Sequence, residues 1–466
     1  MEALTKDCLN AVAGQLLQGD PEGLFRGVSI NSRTVSKGEL FVCIEGEHFD
    51  GHDFLADVMD KNVGGIILSD SKKLPHTTRP SANKSFVIQV TDTLKALQDL
   101  AGFQRRRFPF KVVAVTGTNG KSTTKEMIAS ILETKFKTLK TQGNLNNHIG
   151  LPLTLLKREP AHEIGVLEMG MSAAGEIKRL AEIAQPDIGV ITNISEGHLV
   201  QLKSLKNIQL AKGELFDSLS EQGTAIVNAD DPLVLELARS LRAKTVTFGI
   251  DQPADVRASE IESKGNLGFQ FKVKLFDKTL SVSLPSIGYC NIYNTLAALA
   301  TGYSLGVQGD AMTLGLENYR RMAQRNEQTQ HNGIDLINDA YNANPQSMAE
   351  ALKTLSAFNT QGRRIFVIGD MLELGDLSVP AHQRLGEEIA QSKTNILVAV
   401  GKLAGLSAKK VQALAGENIR VLEFDGHQEA AEFLIQETKD GDCVMFKGSR
   451  GAAMEKILQI FVANKN

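Results

Sequence analysis

The chain has 466 residues, with 51 basic and 54 acidic side chains, a formal net charge of −3 and 42% hydrophobic residues. At ~100–200 residues per domain this length calls for about three domains. The near-neutral balance excludes a general electrostatic case for nucleic acid or an anionic membrane as partner.

Met1 to Asp7 has no basic stretch leading into an apolar one, and no run approaches the roughly 18 apolar residues of a membrane helix. Neither a signal peptide nor membrane insertion is expected. Cys8, Cys43, Cys290 and Cys443 have no CxxC spacing and read as free thiols of a cytoplasmic protein.

In chain order, the first ~100 residues hold short apolar runs such as Leu40–Ile44 and Gly65–Leu68, strand candidates between turn-rich stretches. Arg105-Arg106-Arg107-Phe108-Pro109 reads as a solvated linker. From Lys111 the pattern becomes strand–helix alternation. Val112–Val115 precedes a glycine loop and a helix from Ser122 to about Thr134, and Ile164–Leu167, Ile188–Ile191 and Ala225–Val227 are further buried-strand candidates. Phe269, Phe271, Val273 and Leu275 alternate with polar residues and predict a half-exposed hairpin that interrupts the series, followed by a helix over 291–300.

A second α/β series begins after about Arg321, with strands predicted at 335–337, 365–368, 396–400, 421–424 and 444–446. The fold class expected is α/β in three domains. These are a small α/β N-terminal domain (1–108), a central P-loop ATPase-like domain on a parallel sheet (109–322) and a C-terminal Rossmann-like domain (323–466).

The segment Thr116-Gly-Thr-Asn-Gly-Lys-Ser-Thr-Thr124 lies where a strand ends and a helix begins. Glycines let backbone N–H groups turn toward phosphate oxygens, and the helix N-terminus adds its positive end. Gly117, Thr118, Asn119, Gly120, Lys121, Ser122 and Thr123 are therefore candidate nucleotide-binding residues. Lys121 can reach the β- and γ-phosphates, and the Ser122 hydroxyl can ligate Mg²⁺. Val115 stands where the commoner phosphate loop has its first glycine, so this is a shortened form.

That loop resembles the one in the Mur ligase superfamily, which also includes folylpolyglutamate synthases. Leu167–Gly170, Asn193–His198, Ala211–Glu214, Gly288–Asn294 and Asn338–Pro345 resemble further motifs of the same family, in its order. The resemblance implies an ATP- and Mg²⁺-dependent ligase that activates a carboxylate as an acyl phosphate for attack by an amine. Asp339–Met348, Gly369–Gly375 and Lys447–Arg450 resemble the members that join D-alanyl-D-alanine to a UDP-N-acetylmuramoyl-tripeptide, and no Asp-Asn-Pro-Arg signature of the diaminopimelate-adding members occurs. Another Mur-type ligase, a folylpolyglutamate synthase or a silent ATP-binding scaffold are the competing readings.

Site roles follow from the resemblance. Lys121, Glu168, His198 and Lys212 are expected at the catalytic centre, with Ser122, Glu168 and His198 as Mg²⁺ ligands. A strand-end glutamate, a loop histidine and an unmodified helix lysine are the bland alternatives for the last three. Lys212 matches a lysine that several members carbamylate. Asn291, Arg325 and Asp339 are expected on adenine, phosphate and ribose, with Arg321 the alternative to Arg325.

Asn31, Ser32, Arg33, Gly51 and His52 are expected at the UDP end of the sugar substrate, with Asn144, Asn146 and Asn147 bordering it. Tyr341, Asn342, Asn344, Lys447 and Arg450 are expected at the dipeptide. Asn31 departs from the family's usual aspartate, and Tyr289-Cys290 from its usual Arg-His. A cytoplasmic monomer is expected.

Overall fold

In the computed structural model, residues 1–74, 85–197 and 199–465 are described; His198 lies outside them. Three large sheets follow one another along the chain. The first has five strands in the order Gln15–Gln18, Phe86–Gln89, Gly65–Leu68, Leu40–Val42 and Val28–Ser29, and is parallel except for the antiparallel first pair. Gln15–Gln18 is largely exposed and has no alternation, and Val28–Ser29 is a two-residue pairing, so neither left a pattern to read.

The second sheet has nine strands. Its parallel part runs Val256–Ser263, Lys244–Gly249, Thr224–Asn228, Ile188–Ile191, Lys111–Thr116, Ile164–Glu168 and Thr138–Lys140. Val112 to Val115 are fully buried because helices cover both faces, which is why these strands read as unbroken apolar runs. Burying each such side chain contributes roughly 1.5–3 kcal/mol. The predicted hairpin forms from Phe269–Leu275 and Lys278–Leu284 and breaks the strand–helix alternation as expected, extending this sheet at its edge through antiparallel pairing. Phe271, Val273 and Leu275 face the core while the lysines between them stay in water.

The third sheet has six strands. All five predicted strands are present and parallel, and Glu327–His331 adds an antiparallel edge. That edge strand, Glu-Gln-Thr-Gln-His, has no apolar residue by which to find it.

The predicted arginine linker is instead the last turn of the helix Thr93–Arg107. Arg105 is buried, and its guanidinium donates to the carbonyl oxygens of Ala184 (2.7 Å) and Gln185 (3.0 Å), which end the helix Glu176–Ala184. Cationic donors suit the unpaired carbonyls of a helix C-terminus. Asp370 caps a distant helix: its Oδ1 accepts from the Ala404 N–H (2.8 Å) at the start of Ala404–Ala415.

Under the same loop His382 is fully buried, with Nδ1 on the Ser378 carbonyl (2.6 Å) and Nε2 accepting from the Met371 N–H (3.0 Å). These partners require the neutral ring, and burial lowers its pKa from the ordinary 6.5. The folded state thus binds fewer protons than the unfolded one, so this contribution is complete above about pH 6.5 and is lost as pH falls below it. Urea midpoints should therefore drop between about pH 7.5 and pH 5, and His382→Gln should lower the midpoint at the higher pH while shrinking that drop.

Candidate active site

The strand Lys111–Thr116 delivers the chain to a loop that only glycine can make. Gly117 has φ +145° and Gly120 φ +82°. A Cβ at Gly117 would lie 1.9 Å from Thr192 Oγ1, and one at Gly120 2.4 Å from Asn294 Oδ1. Thr192 Oγ1 in turn donates to the Asn119 carbonyl (2.6 Å), and Thr124 Oγ1 donates to Asn294 Oδ1 (3.1 Å). The loop is clamped from both sides. The helix Lys121–Leu132 starts directly after it.

Lys121 Nζ donates to the carbonyls of Gly117 (2.9 Å) and Thr118 (3.0 Å). Lys212, buried on the helix Leu205–Asp217, reaches the same Gly117 carbonyl at 2.9 Å. Burial lowers the Lys121 pKa, with Glu168 opposing and Arg325 reinforcing the shift. Lys212 is held well below the usual lysine range by burial and by the Lys121 charge.

Glu168 ends the strand Ile164–Glu168 and is buried. Its backbone N–H donates to Thr141 Oγ1 (3.0 Å) and its Oε1 accepts from Asn146 Nδ2 (2.7 Å), while Oε2 has no hydrogen-bond partner. A buried carboxylate oxygen with nothing to bind is a place for a cation.

From the third sheet's side, Arg325 donates to Ser122 Oγ (3.1 Å) and lies 4.0 Å over the Tyr341 ring. Arg321 instead meets Gln328 at the surface. Of the two predicted arginines, Arg325 is the one at the phosphate loop. Asp339 pairs with the buried Lys447 (2.6 Å) and accepts from the Asn326 N–H (3.1 Å).

A cavity of ≈ 1230 Å³ gathers the loop from Thr118 to Thr123 with Glu168, Lys212, Arg325 and Asp339. Asn144, Asn146 and Asn147 line one end, and Tyr341, Asn342, Asn344 and Lys447 line the wall from the third sheet. Asn291 also lines it, but its amide is committed: Nδ2 donates to Ser286 Oγ (3.0 Å) and the Ile287 carbonyl (2.7 Å), and Oδ1 accepts from Asn294 (3.0 Å). Gly117 and Arg450 are not in the lining, and Arg450 bonds Gln324 and Glu455.

None of Asn31, Ser32, Arg33, Gly51 and His52 reaches this cavity. His52 is buried between Asp50 (2.6 Å) and Ser69 (3.0 Å to its N–H), and the carbonyls of Ser32 and Arg33 hold Lys61. Reading the sequence also passed over Thr141 and Thr192, which position Glu168 and the loop, and gave Asn294 no role of its own within the Gly288–Asn294 motif. Thr141 and Thr192 are isolated polar residues with no spacing to mark them. Among the described residues no cluster of three or more His, Cys, Asp or Glu could hold a metal, and no helix is long and apolar enough to cross a membrane.

Residues 115–302 match the family description Mur ligase middle domain, 320–450 the Mur ligase glutamate ligase domain, and 24–105 the Mur ligase family catalytic domain. The chain is 36% identical over 437 residues to the UDP-N-acetylmuramoyl-tripeptide–D-alanyl-D-alanine ligase of Bacillus subtilis (strain 168), covering 94% of this chain and 93% of that one. It is 33% identical to the protein of the same name in Escherichia coli (strain K12), covering 96% and 97%. A crystal structure of MurF from Acinetobacter baumannii aligns over 100% of this chain and 99% of that one with a TM-score of 0.89 and 31% identity. The MurF ligase of Thermotoga maritima in complex with ADP aligns over 94% and 98%, with a TM-score of 0.82 and 28% identity.

The loop geometry carries its own test. Gly120→Ala places a Cβ against Asn294 in a backbone conformation that costs about 1–3 kcal/mol for a non-glycine residue. ADP affinity, measured by calorimetric titration, should fall by roughly 10-fold or more, with little change in the circular dichroism of the fold.

Proposed function

The chain belongs to the Mur ligase family, and from that premise we propose the chemistry of its cavity. The protein is an ATP-dependent, ADP-forming ligase that joins D-alanyl-D-alanine to UDP-N-acetylmuramoyl-tripeptide in peptidoglycan precursor synthesis. The observation that best supports a phosphoryl-transfer site is the convergence of Lys121, Lys212 and Arg325 on one glycine loop beside the unpartnered Glu168 oxygen.

A carboxylate and an amine do not condense in water, so the tripeptide carboxylate first attacks the γ-phosphorus of ATP. ADP leaves and an acyl phosphate forms. The dipeptide amine then adds to the acyl carbon, and the tetrahedral intermediate expels phosphate. Lys121 and Arg325 neutralise charge on the transferring group, and the backbone N–H groups of Thr118 to Ser122 cradle the phosphates. Asp339 takes the ribose and Asn291 orders the adenine end.

Mg²⁺ fits the donor set, since Ser122 and Glu168 offer hard oxygens and one Glu168 oxygen is unpaired; bound there, it would neutralise phosphate charge, a second Mg²⁺ being assigned to His198 by the family resemblance. The depressed Lys212 pKa favours the neutral amine that adds CO₂, releasing a proton and leaving an anionic carbamate.

Residues 1–108 hold the UDP end, 109–322 the ATP, and 323–466 the dipeptide. Asn31 to Arg33 with Gly51 and His52 serve the first, and Asn144, Asn146 and Asn147 the sugar side. Tyr341, Asn342, Lys447 and Arg450 serve the dipeptide, its carboxylate needing a cation. The setting is the cytoplasm.

The test is phosphate release with ATP, Mg²⁺ and UDP-N-acetylmuramoyl-tripeptide, with and without D-alanyl-D-alanine, using both diaminopimelate and lysine tripeptides. Release that needs both substrates, with a pentapeptide product by mass, is expected; release indifferent to the dipeptide would overturn the assignment. Lys121→Ala should lower the rate by roughly 10²–10³-fold or more while the fold is kept.

A further inference from the structure

The phosphate loop is bonded to the C-terminal region through the side chain of Asn119. Its Nδ2 donates to Asn344 Oδ1 (3.3 Å) and Gln346 Oε1 (2.9 Å), and its Oδ1 accepts from Asn344 Nδ2 (2.8 Å). Two amides thus bond each other in both directions across 225 positions of sequence. Such a pair satisfies every group it uses only when both partners are present.

Both ends are rigid. The Asn119 backbone is held by Thr192 and Asn193, with its N–H on Asn193 Oδ1 (3.0 Å). Asn344 is buried and is the N-cap of the helix Pro345–Ala357, its Oδ1 also accepting from the Ser347 N–H (2.9 Å) while its own N–H donates to Ser347 Oγ (3.0 Å). The pair therefore fixes where that helix begins relative to the loop.

Among the described residues, the other polar contacts between the two regions are of another kind, one of them the backbone bond from the Val200 N–H to the Glu373 carbonyl (3.3 Å), away from the loop. Arg384 with Glu196 (3.2 Å) is an exposed ion pair of little energetic weight. Asn359 with Asn266 (3.0 and 2.9 Å) is exposed and lies beyond the far end of that helix. Arg325 with Ser122 uses a hydroxyl that the proposed Mg²⁺ would take. Among the described residues, only the Asn119 side chain ties the loop to the C-terminal region through groups that the phosphates do not require.

We propose that Asn119 and Asn344 form a closure latch: a pair of positioning residues that hold the C-terminal region, and with it Arg325, over the phosphate loop during acyl-phosphate formation. The latch rests on the ligase reading above and changes one role within it, since Asn344 acts on the loop rather than on the dipeptide.

Asn344→Ser separates latch from cap, because serine is an equally good N-cap but too short to reach Asn119. Asn344→Ser and Asn119→Ala should each lower kcat by about ten-fold, while the KM for D-alanyl-D-alanine changes less than three-fold and the unfolding midpoint stays near that of the parent. The double variant should be no slower than the slower single one. Small-angle scattering with a non-hydrolysable ATP analogue should give a larger radius of gyration for each variant than for the parent, a readout that stands even if the dipeptide assignment fails.

Multiplying effects in the double variant, a parent-like radius in both singles, or a raised dipeptide KM with unchanged kcat for Asn344→Ser would each overturn the latch.

Discussion

Two lysine amines share one carbonyl oxygen in this protein. Lys121 and Lys212 both donate to Gly117, and Arg325 stands on the adjoining Ser122. Like charges gathered in a partly buried place repel each other and lose hydration, which is why both lysines are held below their ordinary pKa. The Glu168 charge opposes that shift at Lys121, and its own free oxygen asks for a cation. In the proposed reading the cluster becomes consistent once a triphosphate and a divalent cation enter together, the anion answering Lys121 and Arg325 and the cation answering the glutamate.

The sheets exist in this form to hold that arrangement. Lys111–Thr116 is flanked by Ile164–Glu168 and Ile188–Ile191 in parallel register, so the loop, Glu168 and the segment holding Thr192 and Asn193 all leave the sheet at the same edge. Parallel strands put their carboxyl ends together, and that is where α/β proteins build their sites. The third sheet brings Asp339, Lys447 and the cap of Pro345–Ala357 to the same space from strands that are likewise parallel.

What was legible in the chain follows the same physics. Strands buried on both faces appear as unbroken apolar runs, so four parallel strands of the second sheet and the five of the third could be named, while Thr138–Lys140, Lys244–Gly249 and Val256–Ser263 could not. A glycine loop between strand and helix has one common use, so the phosphate loop could be named as well. Strands whose residues meet water or pair only briefly, Gln15–Gln18, Val28–Ser29 and Glu327–His331, carry no such run.

Side-chain partners are set by three-dimensional contact. Arg105 looked solvated and is buried on a helix end; Asn291 looked free for a ligand and is bonded to its own helix start; spacing alone left Arg321 and Arg325 open, and contact with Ser122 separates them. The tie between Asn119 and Asn344 spans 225 residues and had no local signature at all.

The central claim is that the carboxylate becomes an acyl phosphate in the cavity between these sheets. It is tested by giving the enzyme UDP-N-acetylmuramoyl-tripeptide labelled with ¹⁸O in its terminal carboxylate and weighing the phosphate released. If the carboxylate oxygen attacks phosphorus and later departs with it, each phosphate carries one oxygen from the carboxylate, and its ¹⁸O content follows that of the tripeptide. Phosphate free of the label, alongside normal pentapeptide formation, would contradict the account.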